Sequence, residues 1–130
     1  MPATIDKLTA ADISFLVAGS PSGLGVPPLV CLHGIGGDAT SFMPQLHGLS
    51  GRQRTLSWNM PGYGPSAPMA EISFVSLCDR LCAALDALGI DRVVIAGQSI
   101  GGMIAQEMAI RHPHRIAGHT LAGLLMIGGY

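Results

Sequence analysis

Charge is scarce in this chain. Only 12% of its 130 residues are Asp, Glu, Lys or Arg, and the formal net charge is −1. That balance leaves no electrostatic footprint for nucleic acid or an anionic membrane surface. Cysteine is scarce too. Cys31, Cys78 and Cys82 do not form a disulfide framework. Cys78 and Cys82 lie one helical turn apart without further ligands, so core packing is expected of them and no metal site. No run approaches the roughly 18 apolar residues of a spanning helix. The N-terminal segment carries Asp6, Lys7 and Asp12 and lacks the apolar core of a signal peptide. These absences predict a soluble, cytoplasmic protein with free thiols, and exclude nucleic acid and membrane as partners. Gly-Lys-Ser/Thr does not occur, which excludes a phosphate-binding P-loop.

What is present is apolar residues (48%) and 18 glycines, and the glycines cluster at turns. One domain over residues 1–130 is expected, with most of the chain buried. Thr4 to Leu8 and Ile13 to Val17 read as short strands around an Ala10-Ala11-Asp12 turn. Leu29 to Leu32 is a continuous apolar run of strand length, the mark of a strand covered on both faces. Asp38 or Thr40 caps a helix reaching Leu49, with Pro44 in its first turn. Arg54 to Trp58 is a strand that runs into Asn59-Met60-Pro61-Gly62-Tyr63-Gly64-Pro65-Ser66, a loop by composition. Ser73 caps a helix to Leu88 with an apolar stripe of Phe74, Leu77, Cys78, Leu81, Leu85 and Leu88, ended by Gly89. Arg92 to Ala96 is a strand, Ile100 to Arg111 a helix stopped by Pro113, and Ala117 to Ala122 one more strand. Leu121 to Tyr130 is a nearly wholly apolar tail without turn residues. Strands alternating with helices predict an α/β fold, a mostly parallel sheet with helices on both faces.

In such sheets chemistry sits beyond the carboxyl ends of the strands. Three loops leave there: His33 to Asp38, Asn59 to Ser66, and Gln98 to Gly101. The last lies in Gly97-Gln98-Ser99-Ile100-Gly101, a Gly-x-Ser-x-Gly between a strand and a helix. This is the pattern of a nucleophile elbow, whose sharp turn needs small residues two positions before and after the serine. A dinucleotide fingerprint is the rival reading. It requires glycine where Ser99 stands and an acidic residue about twenty positions on, which is missing.

A serine nucleophile needs a base, a group to orient that base, and donors for the oxyanion. The backbone N–H of Ile100, at the helix start, and that of Ile35, after His33-Gly34, are the candidate donors. The base is harder to find. Glu107 lies about 12 Å down the helix and His112 about 20 Å, at 1.5 Å per residue. His114 and His119 fall toward the opposite end of the sheet. His33 is nearest, and its expected task is holding loop geometry. His47 is expected at the surface, His112 and His114 as a solvated pair, and Trp58 as a buried aromatic rather than a stacking platform.

His33-Gly34-Ile35-Gly36, Trp58-Asn59-Met60-Pro61-Gly62-Tyr63-Gly64 and Gly97-Gln98-Ser99-Ile100-Gly101-Gly102 together resemble the N-terminal half of an α/β-hydrolase superfamily protein. The likeness is to the branches with a serine nucleophile: esterases, lipase-like enzymes and carbon–carbon-bond hydrolases. The resemblance implies Ser99 as nucleophile and Ile35 and Ile100 as oxyanion donors. His33, Gly34, Gly97 and Gly101 support the loops. It also implies a small ester or acyl substrate and no cofactor. It puts Asp where Asn59 stands. It further implies a cap insertion, later strands, an acid and a histidine, none of which this sequence contains. The expectation is therefore a truncated hydrolase core, weakly active or inactive. The alternative is a non-catalytic module that self-associates through an exposed sheet edge.

Overall fold

The computed structural model describes residues 4–20, 25–117 and 124–127. Its centre is a six-stranded sheet in the order β1-β2-β4-β3-β5-β6. The strands are β1 (Asp6–Ala10), β2 (Ile13–Ala18), β3 (Leu29–Leu32), β4 (Thr55–Trp58), β5 (Val94–Gln98) and β6 (Leu124–Ile127). β1 and β2 pair antiparallel, as do β2 and β4. β4, β3, β5 and β6 are mutually parallel. The helices are α1 (Met43–Leu49), entered through a 3-10 turn at Ala39–Phe42, α2 (Phe74–Ala87) and α3 (Ile100–Arg111).

The two faces of the sheet differ in what covers them. Val30, Leu32, Leu56, Trp58 and Ile95 pack with Leu77, Leu81 and Leu85 of α2 and Ile104 and Met108 of α3, forming the main core. On the other face Leu29, Cys31 and Ala96 pack with Phe42 at the entry to α1. Leu29 to Leu32 are all buried, as a strand covered on both sides demands. α2 and α3 run parallel: Cys78 reaches the Ile104 carbonyl at 3.6 Å, and Cys82 lies 3.8 Å from the Met108 sulfur one turn on. Both helices therefore start at the carboxyl end of the sheet.

Several boundaries differ from the sequence expectation. The first strand is Asp6–Ala10, two residues later than expected. The hairpin closes on Ala11 and Asp12 alone, both at positive φ (48° and 65°). Such a two-residue turn matches the right-handed twist of the strands. Arg80 of α2 binds it, donating to the Ala11 carbonyl at 3.2 Å and the Asp12 carboxylate at 3.3 Å. Phe74, placed in the buried stripe of α2, is 39% exposed. It occupies the first helical position and lines an open groove beside α3, which leaves its ring partly uncovered. The last strand is Leu124–Ile127, within the run read as a tail, and Ala117 is not in a strand. Residues 118–122 of the expected strand, His119 among them, lie outside the described residues. β6 pairs with β5 from Ile95↔Leu124 to Gln98↔Ile127, in parallel register. An apolar run without turn residues suits a parallel strand as well as a tail.

Candidate active site

The elbow is built from backbone pressed against backbone. Ser99 sits between β5 and α3 at φ 56°, ψ −119°, a conformation that costs a non-glycine residue roughly 1–3 kcal/mol. Crowding explains why the chain accepts it. A methyl added at Gly97 would fall within 3.0 Å of the Gly101 carbonyl and the Gly102 nitrogen. One added at Gly101 would do the same to the Leu32 and His33 carbonyls. α3 can approach β3 and β5 this closely only where both positions lack a side chain. Ser99 and Gln98 are exposed, whereas Gly97, Gly101 and Gly102 are buried.

The loop after β3 lies directly against the serine. A Cβ at Gly34 would stand 3.1 Å from Ser99 Cβ. Gly34 to Gly37 form a turn closed by Gly37 N–H donating to the Gly34 carbonyl at 3.0 Å, with Gly36 at φ 85°. This turn leaves the Ile35 side chain 73% exposed. The Ile100 N–H belongs to the first turn of α3, where helical N–H groups have no intrahelical acceptor. Ile35 follows Gly34 in the turn packed on Ser99, and Ile100 follows Ser99 at the start of α3.

A buried polar network ties the Asn59–Ser66 loop to the His33–Asp38 loop. His33 is fully buried. Its Nδ1 lies 2.8 Å from the Gly34 carbonyl and its Nε2 3.0 Å from the Met60 nitrogen. A carbonyl can only accept and a backbone N–H can only donate. The ring is therefore neutral, with its proton on Nδ1. Burial pushes its pKa below the usual histidine value, against the hydrogen bond to Gly34 and the charge of Asp38. Asn59 Oδ1 accepts from the Ala39 N–H at 2.9 Å, and Ser57 Oγ donates to the Ala39 carbonyl at 2.8 Å. Ser66 Oγ donates to the Asn59 carbonyl at 2.6 Å and accepts from the Ser14 N–H at 2.8 Å. Asp38 caps the 3-10 turn by accepting from Thr40, and those bonds hold its carboxyl below the usual range. An acceptor is all the Ala39 N–H requires, so the amide of Asn59 meets it without a carboxylate.

Sequence reading missed Ser57 and Ser66. A lone serine in a strand or loop is too common to single out, and only the fold shows the backbone groups that these two satisfy. Arg115 was missed as well. It is 7% exposed and binds the Asp86 carboxylate at 2.9 Å, the Ile90 carbonyl at 2.7 Å and the Asp91 carbonyl at 2.5 Å.

The other candidates lie apart from Ser99. Glu107 faces a separate surface groove of about 250 Å³ with Phe74, Met103, Gln106 and Ile110. His112 lies at the far end of α3, with Nε2 3.5 Å from Asp79. His47 is exposed, and Trp58 is fully buried. Cys31, Cys78 and Cys82 are free and buried, and burial pushes the Cys31 and Cys78 thiols up to about 12. Among the described residues no three His, Cys, Asp or Glu converge on a metal position. No helix among them is long and apolar enough to cross a membrane.

Residues 27–126 match the alpha/beta hydrolase fold family. The chain belongs to that family. It is 32% identical over 107 residues to the dihydrolipoyllysine-residue acetyltransferase component of an acetoin cleaving system from Pseudomonas putida, covering 82% of this chain and 29% of that protein. It is 36% identical over 103 residues to 2-succinyl-6-hydroxy-2,4-cyclohexadiene-1-carboxylate synthase from Yersinia pseudotuberculosis, covering 79% of this chain and 36% of that one. Among solved structures, a bacterial membrane phospholipase A superposes with a TM-score of 0.83 at 26% identity, over 99% of this chain and 40% of the other. The chain thus spans about a third of the length of the curated relatives it matches. The part of the alpha/beta hydrolase fold that it provides is the part carrying the elbow.

Proposed function

We propose that this α/β-hydrolase chain carries the nucleophile and oxyanion donors of a serine hydrolase that cleaves an ester or similar acyl bond. The observation that carries this reading is the strained Ser99 elbow with the Gly34–Ile35 turn packed against it. Ser99 Oγ adds to the acyl carbon as its proton passes to a base. The bond to the leaving alcohol then breaks, and the alcohol takes up a proton. Water adds to the acyl-serine and releases the acid. The N–H groups of Ile35 and Ile100 hold the oxyanion at both tetrahedral stages. Losing one such donor typically costs about 3–4 kcal/mol of barrier.

The described residues offer no base. The His33 ring is hydrogen-bonded at both nitrogens, and Glu107 lies more than two turns along α3. In the family order the acid and histidine follow the nucleophile.

The test is intact mass after exposure of folded protein to a fluorophosphonate probe, with Ser99→Ala as control. One adduct that disappears in the variant supports the reading. A folded sample that stays unlabelled at all probe concentrations overturns it.

One observation favours a second reading. Among the described residues β6, whose sequence is Leu-Leu-Met-Ile, is hydrogen-bonded on one side only. An apolar edge strand is a template for pairing with another chain. A non-catalytic, self-associating module would sediment as a concentration-dependent oligomer and leave the probe unreacted.

A further inference from the structure

The carbonyl of Gly34 and the N–H of Ile35 belong to one planar peptide unit. Whatever holds the carbonyl therefore also aims the N–H. Two donors hold it: Gly37 N–H at 3.0 Å and His33 Nδ1 at 2.8 Å. The imidazole is anchored at its other end by Met60 N–H, 3.0 Å from Nε2. His33 thus spans from the Asn59–Ser66 loop to the peptide beside Ser99, and it does so fully buried.

We infer that neutral His33 is the positioning residue that aims the Ile35 N–H at the Ser99 oxyanion, and that its protonation releases this peptide, so that acid turns the donor off. This rests on the reading of Ser99 as nucleophile. The chemistry is a conflict of donors. A proton on Nε2 would face the Met60 N–H, donor against donor, with no water-accessible surface to relieve it. The ring must turn or move, and its hold on the Gly34 carbonyl goes with it. Among the described residues the titratable groups facing the ring are Asp38, whose charge favours the imidazolium, and Tyr63, whose ring centroid lies 5.2 Å away at a 55° tilt. Asn59, one residue from Met60, carries no charge. The first carboxylate to oppose the burial of the ring is therefore the exposed Asp38.

The sign follows from the geometry. The folded protein favours neutral imidazole, so the switch lies below the ordinary histidine value of 6.5. Above it the donor is aimed; as pH falls, the donor is lost.

The experiment follows two readouts in the full chain between pH 4 and 8. One is the ¹⁵N shifts of the His33 ring with the amide signals of Met60, Ile35 and Gly37. The other is the rate of fluorophosphonate labelling at Ser99, in wild type and in His33→Gln. The glutamine side chain has a non-titrating acceptor of similar reach. The expected result is a neutral Nδ1–H ring at pH 8 and one shared midpoint below 6.5 for the ring and the three amides. Wild-type labelling should fall on the order of a hundredfold through that midpoint. His33→Gln, whatever its absolute rate, should lack that limb. Three results overturn the inference: a ring that protonates while the amides stay put, a ring that stays neutral until global unfolding, or the same acid limb in His33→Gln. If Ser99 is unlabelled at every pH, the nucleophile reading fails. The ring and amide signals then decide the latch alone, as they do if the variant does not fold.

Discussion

The two ends of α3 are held by opposite means. At its N-terminus backbone meets backbone: Gly97, Gly101 and the Leu32 carbonyl approach without an intervening side chain. Just past its C-terminus, a long side chain reinforces the backbone pairing of Val93 with Arg115 and Ala117. Arg115 reaches back to Asp86, Ile90 and Asp91, where α2 gives way to β5. The first kind of contact has little slack, because it sets the backbone of α3 directly against that of β3 and β5. The second is made of charge-assisted hydrogen bonds, which can lengthen, be lost singly or be replaced by water. The end that carries Ser99 leaves no room for a side chain at Gly97 or Gly101, and the opposite end carries the adjustable contact.

The strongest test of that difference is Gly101→Ala. The added methyl would meet the Leu32 and His33 carbonyls inside 3.0 Å. Neither oxygen can move without shifting β3. We expect a loss above the usual overpacking range of about 1–3 kcal/mol, read as a collapsed urea midpoint or failure to fold. An Ala variant that melts like wild type would mean that the elbow has slack after all.

Arg115→Ala comes next. It strands the Ile90 and Asp91 carbonyls and leaves Asp86 unpaired at the surface. Hydrogen bonds to charged groups contribute about 1.5–3 kcal/mol each and do not add fully, so a loss of about 2–4 kcal/mol in denaturant melts is expected. Arg115→Lys should recover less than half, since an ammonium lacks the fork that reaches three oxygens at once. Full recovery by lysine would reduce the clamp to a simple charge.

Ser99→Gly reverses the direction. Glycine relieves about 1–3 kcal/mol of backbone strain and gives back about 0.5–1 kcal/mol in unfolded-chain entropy. A net gain of about 1 kcal/mol, with all probe labelling lost, would place stability and reactivity in opposition at one residue. A loss of stability would show that the elbow stores no strain.

The smallest effect is expected from Asp38→Ala, which removes the acceptor for Thr40 at the 3-10 turn. Losing an N-cap costs about 1 kcal/mol. The folded-state pKa of Asp38 is depressed. Its contribution is therefore present above the unfolded carboxyl pKa of about 3.8 and is lost as pH falls through the folded value. Wild type and variant melts should converge in acid.

Much of this was legible in the chain itself. Strand-length apolar runs, the cap at Ser73, the stop at Pro113 and the Gly-x-Ser-x-Gly turn all depend on neighbours within a few residues, where steric rules act directly. The last strand was not legible. An apolar stretch such as Leu121 to Tyr130 has no periodicity to distinguish strand from tail, and only pairing with β5 singles out Leu124–Ile127. Phe74 failed for a related reason: helical periodicity marks a face, and how far along the helix its cover extends depends on α3.

The sequence by itself determined where the chain must turn sharply, which serine the turn presents, and that strands alternate with helices. Those are consequences of local stereochemistry: a missing Cβ, a fixed proline φ, a capping hydroxyl. Only the tertiary structure decided how the loops after β3 and β4 are held. The bonds from His33 to Met60, from Ala39 to Asn59 and from Ser14 to Ser66 join residues 20 to 52 positions apart. Such pairings are set by the order of strands in the sheet, because a buried polar group takes whichever partner the fold brings within about 3 Å.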